Sequence, residues 1–169
     1  TAVVAAGTNA ARTRETQELF STPRFRVYSS NDIVGVELGG ALKNVIAVAA
    51  GIVEGLRFGH NTMAALMTRG LAELSRLGVA LGGDPFTFSG LSGMGDLVLT
   101  CTGGLSRNRA VGVELGRGRS LEEITEEMNM VAEGVKTSKA VKQLSTDLGI
   151  EMPICDQVHA VLYEEKPAA

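Results

Sequence analysis

Between Leu38 and Val53 the chain reads LGGALKNVIAVAAGIV, and Lys43 is its single charged residue. The run opens at Asp32, a residue type that caps helix starts, and carries Gly39, Gly40, Gly51 and many alanines where another backbone can approach closely. This pattern predicts a central helix buried on all sides, which commits the rest of the fold to covering it. Lys43 and Asn44 interrupt the longest uncharged stretch. A membrane span is therefore not expected, and the cytoplasm is the default setting.

The residues that follow supply the cover. Asn61-Thr62 reads as a cap for a second helix, in which Met67, Leu71, Leu74, Gly78 and Leu81 recur at steps of three and four before Gly82-Gly83-Asp84-Pro85. A glycine-rich loop is expected from Ser89 to Gly95. Ser106-Arg107-Asn108 opens a helix ending near Gly116, and Ser120 with Glu123 spells a capping box for another. A helix from Glu133 to Leu148 is closed by Gly149, and Pro153 opens a last one with Ile154, Val158 and Leu162 on one face.

The first 34 residues differ. An apolar run, Ala2 to Ala6, precedes a helical stretch around Arg14 to Phe20 and then Phe25-Arg26-Val27-Tyr28, bounded by Pro23 and by Ser29-Ser30-Asn31-Asp32. This is a strand, helix, strand unit. Two strands bury too little surface to stand alone, so the unit reads as the edge of a larger sheet in a chain shortened at its N-terminus. The expected division is 1–34 and 35–169, the second part all helical.

At 169 residues, 44% hydrophobic and 21% charged, with a net charge of -3, the chain belongs with globular proteins and not with nucleic-acid binders. Two Tyr, five Phe and no Trp leave little to stack on bases. Cys101 and Cys155, the only cysteines, lack zinc spacing and read as reduced core residues. His60 and His159 have no carboxylates at ligand spacing, so no metal is expected. Small-molecule chemistry or packing remains.

A lysine within an apolar helix either snorkels to the surface or sits desolvated in a cleft, where it can pass a proton to or from a substrate oxygen. Glu37, six residues from Lys43, points to another face and gives it no partner within the helix. Asn44 could hydrogen-bond a substrate or a neighbouring helix. Gly93-Met94-Gly95 tempts a dinucleotide reading, but Val98 stands where the third glycine belongs and no strand precedes it. Asp96 could accept bonds from substrate hydroxyls or cap a helix at Leu97, with Thr100 one turn on. Ser106-Arg107-Asn108-Arg109 joins helix-start amides to a guanidinium, which suits a phosphate dianion but also fits a capped helix with a solvated arginine. Glu133 could meet a ribose hydroxyl or a carboxamide, or simply complement its helix dipole.

Taken together, GVELGGALKNVIAVAAGIVEGL, GLSGMGDLVLTCTGGLSRNRAVG, VAEGVKTSKAV and EMPICDQVHAVLY resemble the C-terminal domain of the NAD(P)-dependent glycerol-3-phosphate dehydrogenases, the bacterial form especially. VVAAG and FRVYSSND look like the last strands of that family's Rossmann domain. The resemblance implies a mainly α fold, a multi-helix domain like the 6-phosphogluconate dehydrogenase C-terminal domain, with a short β-α-β remnant of the Rossmann sheet before it. It implies an oxidoreductase that interconverts dihydroxyacetone phosphate and sn-glycerol 3-phosphate, a phospholipid precursor, with NAD or NADP bound mainly by a preceding domain. By position, Lys43 is the implied proton carrier, Asn44, Asp96 and Thr100 line the substrate site, and Ser106, Arg107 and Asn108 hold the phosphate. Arg107, Val131 and Glu133 are the implied cofactor contacts, and a homodimer is a possible assembly. A related ketopantoate or 3-hydroxyacid reductase is the competing enzyme reading, which SRN beside GGALKNV argues against. A helical dimerisation or ligand-binding module, with Lys43 incidental, is the competing non-enzyme reading.

Overall fold

A computed structural model describes residues 1–128 and 132–169. Val131, one of the implied cofactor contacts, lies outside the described residues.

β1 (Ala2–Ala6), α1 (Ala10–Phe20) and β2 (Arg26–Ser30) form a right-sized strand, helix, strand unit, with the strands parallel and Ala2 opposite Arg26 through to Ala6 opposite Ser30. The Asn9 side chain caps α1 by accepting from Arg12 N at 3.1 Å, which starts the helix earlier than Arg14. β2 continues through Ser29 and Ser30 because their backbones complete the parallel ladder with Ala5 and Ala6.

α2 (Ile33–Gly55) is the central helix. Asp32 starts it, its Oδ1 accepting from Gly35 N at 2.8 Å. It is apolar and long enough to cross a membrane, with a mean hydropathy of 1.6 in its most apolar window, but Val45, Ile46, Ala47, Val48 and Ala50 are fully enclosed by other helices. Burial of each Val or Ile contributes about 1.5–3 kcal/mol. α2 is thus the axis of the core.

Around it stand α3 (His60–Ala80), α4 (Pro85–Ser89), α5 (Asp96–Thr102), α6 (Arg107–Gly116), α7 (Leu121–Glu127), α8 (Glu133–Leu148) and α9 (Pro153–Tyr163). α3 begins at His60 behind Gly59, which offers no side-chain cap, and not behind Asn61-Thr62. The expected loop from Ser89 to Gly95 is instead the end of α4 followed by a π-helical turn, Leu91–Gly95. Pro85 at the first position of α4 and Asp84 accepting from Phe86 N at 2.9 Å stabilise that extra helix. The capping box of Ser120 and Glu123 forms at the start of α7, and Gly149 ends α8 at φ 64°, in the left-handed region that glycine enters freely.

Four glycines set how α2 and α6 meet. A Cβ on Gly51 would fall 2.1 Å from Arg109 O and one on Gly112 2.0 Å from Val48 O. Gly55 and Gly116 repeat the arrangement one turn on, at 2.3 Å from Val113 O and 2.6 Å from Ile52 O. The two helices run side by side in the same direction, backbone against backbone. This register brings the first turn of α6 level with Lys43 and Asn44.

Candidate active site

Three helix starts converge on the middle of α2. α5 buries Leu97 and Cys101 in the core, which leaves Asp96, its first residue, facing Lys43. α6 enters beside Asn44 because of the glycine contact. α8 enters on the same side because Gly134 lies against the α2 backbone, where a Cβ would fall 2.5 Å from Asn44 O. Between them is an open cleft of roughly 500 Å³ lined by Lys43, Asn44, Asp96, Thr100, Ser106, Arg107, Asn108 and Glu133. Residues drawn from four separate stretches of sequence therefore share one cavity.

The Lys43 ammonium forms an ion pair with Asp96 Oδ2, the two side chains 19% and 32% exposed. The partner missing within α2 is supplied by α5. Thr100 Oγ1 donates to Asp96 O at 2.6 Å and lies 3.5 Å from Asp96 Oδ1, which steadies the carboxylate from one turn below. Asn44 Nδ2 donates to Gly40 O and to Glu133 Oε2, both at 3.3 Å. Asn108 Nδ2 donates to Asn44 Oδ1 at 2.9 Å, and Asn108 Oδ1 accepts from Gly134 N at 2.8 Å. Ser106 caps α6, its Oγ accepting from Arg109 N at 3.3 Å, so its hydroxyl does structural duty at the cleft edge. Arg107 stands at the first position of α6 and is exposed to the cleft, while Arg109 turns away to an ion pair with Glu54.

Leu99, Gly103, Gly104 and Leu105 also line the cleft and were not singled out from the sequence. Leu105 is 99% exposed at its rim. The doubled glycine after Thr102 was the available signal, since a Cβ on Gly103 would fall 2.6 Å from Leu99 O. The thiols take no part. Cys101 and Cys155 are free and buried, and burial pushes the Cys101 thiol up to about 12 and the Cys155 thiol well above its ordinary value.

Comparison with known proteins bears on the chain and its fold as a whole. A family model described as the C-terminus of NAD-dependent glycerol-3-phosphate dehydrogenase matches residues 32–169. The chain is 63% identical to glycerol-3-phosphate dehydrogenase (NAD(P)+) of a Geobacter species and 62% identical to that of Geobacter metallireducens, over 99% of this chain and 50% of each relative. Its fold superimposes on a glycerol-3-phosphate dehydrogenase crystal structure from Coxiella burnetii with a TM-score of 0.95, at 43% identity over 99% of this chain and 52% of the other. The Saccharomyces cerevisiae enzyme gives a TM-score of 0.84 at 32% identity, over 92% of this chain and 46% of the other. The chain thus spans about half the length of these relatives.

Proposed function

Because this chain belongs to the NAD-dependent glycerol-3-phosphate dehydrogenase family through that family's C-terminal domain, we propose that its cleft is the substrate site for reversible reduction of dihydroxyacetone phosphate to sn-glycerol 3-phosphate. The observation that carries the reading is the meeting of the Lys43–Asp96 pair with the first turn of α6 in one cavity. In this reading residues 1–34 are the end of a nucleotide-binding sheet and 35–169 the substrate domain, in a cytoplasmic enzyme.

Arg107 and the helix start it occupies favour a phosphate dianion, with Ser106 and Asn108 beside it. That anchor lies away from the reacting carbon, so its binding energy serves to orient the ketone towards Lys43. Lys43 gives its proton to the C2 oxygen as negative charge gathers there, and takes it back when the alcohol is oxidised. Asp96 and Thr100 fix the direction of the ammonium, and Asn44, next to Lys43 in the chain, adds a donor at the same wall.

Two of the lining residues carry groups that suit a nicotinamide nucleotide as well. Glu133 offers carboxylate oxygens suited to a carboxamide or a ribose hydroxyl, and the Arg107 guanidinium suits a phosphate of the same molecule. NAD or NADP, when bound, supplies the hydride. Most of the dinucleotide would be held by the half of the relatives that this chain does not span.

Substrate discrimination in the full-length enzyme tests the reading. Dihydroxyacetone phosphate should exceed unphosphorylated keto acids in kcat/KM by at least ~10³-fold, as expected of a site that gains charge-assisted hydrogen bonds only with the phosphorylated ketone, and Arg107→Ala should erase most of that margin. Comparable turnover of an unphosphorylated keto acid would move the assignment to a related hydroxyacid reductase. A polypeptide of residues 1–169 alone is expected to be inert with NADH and dihydroxyacetone phosphate.

A further inference from the structure

α8 begins without a cap of its own. Its N-cap position is Ala132, which has no side-chain acceptor, and yet Gly134 two residues on is buried. A buried N–H in the first turn of a helix destabilises the fold if left without an acceptor. The acceptor comes from another helix: Asn108 Oδ1 takes the Gly134 N–H at 2.8 Å.

Asn108 is only 9% exposed, and its amide is turned by two opposing demands. Its oxygen serves Gly134, and its nitrogen donates to Asn44 Oδ1 at 2.9 Å. That second bond fixes the Asn44 amide in turn, nitrogen outward, so that Asn44 Nδ2 donates to Glu133 Oε2 at 3.3 Å. Glu133 and Gly134 are neighbours, so the three bonds close a ring through α2, α6 and α8. No side chain could replace Gly134, because a Cβ would fall 2.9 Å from Asn108 Oδ1 as well as 2.5 Å from Asn44 O.

We propose that Asn108 is a positioning residue that caps α8 from a distance and thereby holds the Glu133 carboxylate beside Asn44 in the cleft, where it would meet the nicotinamide nucleotide. Resting on the reading above, this gives Asn108 a role in cofactor binding separate from any contact with the substrate phosphate. One Nδ2 hydrogen serves Asn44, and an amide nitrogen carries two, so a contact with the substrate phosphate is compatible with the same side chain. The ring couples the start of α8 mechanically to the middle of α2. A loosened α8 start would be felt at Glu133, and a turned Asn44 would be felt beside Lys43.

The test compares Asn108→Ala and Asn108→Asp in the full-length enzyme without substrate, by amide hydrogen exchange and by NADH binding. Asp keeps the acceptor for Gly134 N–H and loses the donor to Asn44; Ala loses both. In Asn108→Ala, exchange at Gly134 and Val135 should accelerate about tenfold or more while α3 and α9 stay protected, and the NADH Kd should rise about tenfold, the scale of one buried hydrogen bond. Asn108→Asp should keep the slow exchange and recover much of the NADH affinity, while its added negative charge raises KM for dihydroxyacetone phosphate. Unchanged exchange and NADH affinity in Asn108→Ala, with only the substrate KM raised, would overturn the proposal. Acceleration spread over the whole helical bundle would overturn it too, as mere loss of fold. If the unaltered enzyme bound no nicotinamide dinucleotide, the functional reading would fall, and the exchange arm would still decide whether Asn108 caps α8.

Discussion

Lys43, halfway along α2, and Asp96, the first residue of α5, meet as an ion pair although 53 positions separate them in the chain. The pair joins the core helix to the only charged residue of the short helix that buries Leu97 and Cys101 beside it. In the full-length enzyme, Lys43→Ala should lower kcat by about 10²–10⁴, the usual worth of a positioned proton carrier, with little change in thermal stability. Asp96→Ala should also lower kcat, and the double variant should be no slower than Lys43→Ala alone, because the carboxylate acts through the ammonium. Steady-state kinetics of the four proteins check this. Additive losses would mean that Asp96 works independently.

Gly112 should tolerate no side chain. Alanine there would drive a methyl to 2.0 Å from Val48 O, backbone that cannot move aside without parting α2 from α6. The expected cost is about 3 kcal/mol or more, above the usual range for an overpacked core because the obstacle is main chain. Because the same contact sets the register of α6, activity should fall further than stability explains. Denaturation midpoints beside kcat/KM measure the two effects.

Glu73 is a carboxylate only 2% exposed on α3, and its oxygens accept from Ile154 N at 2.8 Å and Cys155 N at 3.1 Å. It caps α9, whose N-cap position, Met152, has no acceptor. Glu73→Ala should cost ~2–4 kcal/mol by leaving two amides at a helix start without partners, whereas Glu73→Gln should cost less by keeping one acceptor oxygen. Urea titrations with unchanged m-values would measure both.

Asp32 supports stability at neutral pH and should lose that role in acid. Partial burial pushes its carboxyl up, but hydrogen bonds from the Thr87 hydroxyl and the Gly35 and Asp84 amides outweigh burial and hold it below its ordinary value. A folded-state value below the unfolded one means the contribution is complete above about pH 4 and drains away as pH falls through the lowered value. Asp32→Ala should therefore cost ~1–2 kcal/mol at pH 7 and progressively less as pH falls below 4. A penalty independent of pH between 7 and 3 would count against this.

Most helices were legible because their signals are local. Asp32, Ser120 with Glu123, and Gly149 each act on amides or carbonyls within four residues, and Val158 and Leu162 mark the buried face of α9 by spacing alone. The π-helical turn at Leu91–Gly95 was not legible. It depends on Gly39 and Gly93 letting main chain pass close, with a Cβ on Gly39 falling 2.5 Å from Ser92 O and one on Gly93 2.0 Å from Phe88 O. The α3 start at His60 was not legible either: Asn61 and Thr62 are good cap types, but the helix begins two residues sooner, behind Gly59, which supplies no side-chain cap.

By itself the sequence determined that the described residues after β2 are mainly helical, the buried axis at 45–50 and the kinds of group a reaction could use, because hydrophobic spacing and capping operate over a few residues. That Lys43 faces Asp96, that Arg107 starts a helix level with Asn44, and that Asn108 caps α8 were decided only in three dimensions. Those relations depend on register between helices. Register here is fixed where Gly51 and Gly112 allow two backbones to touch, a steric match that neither stretch of sequence contains alone.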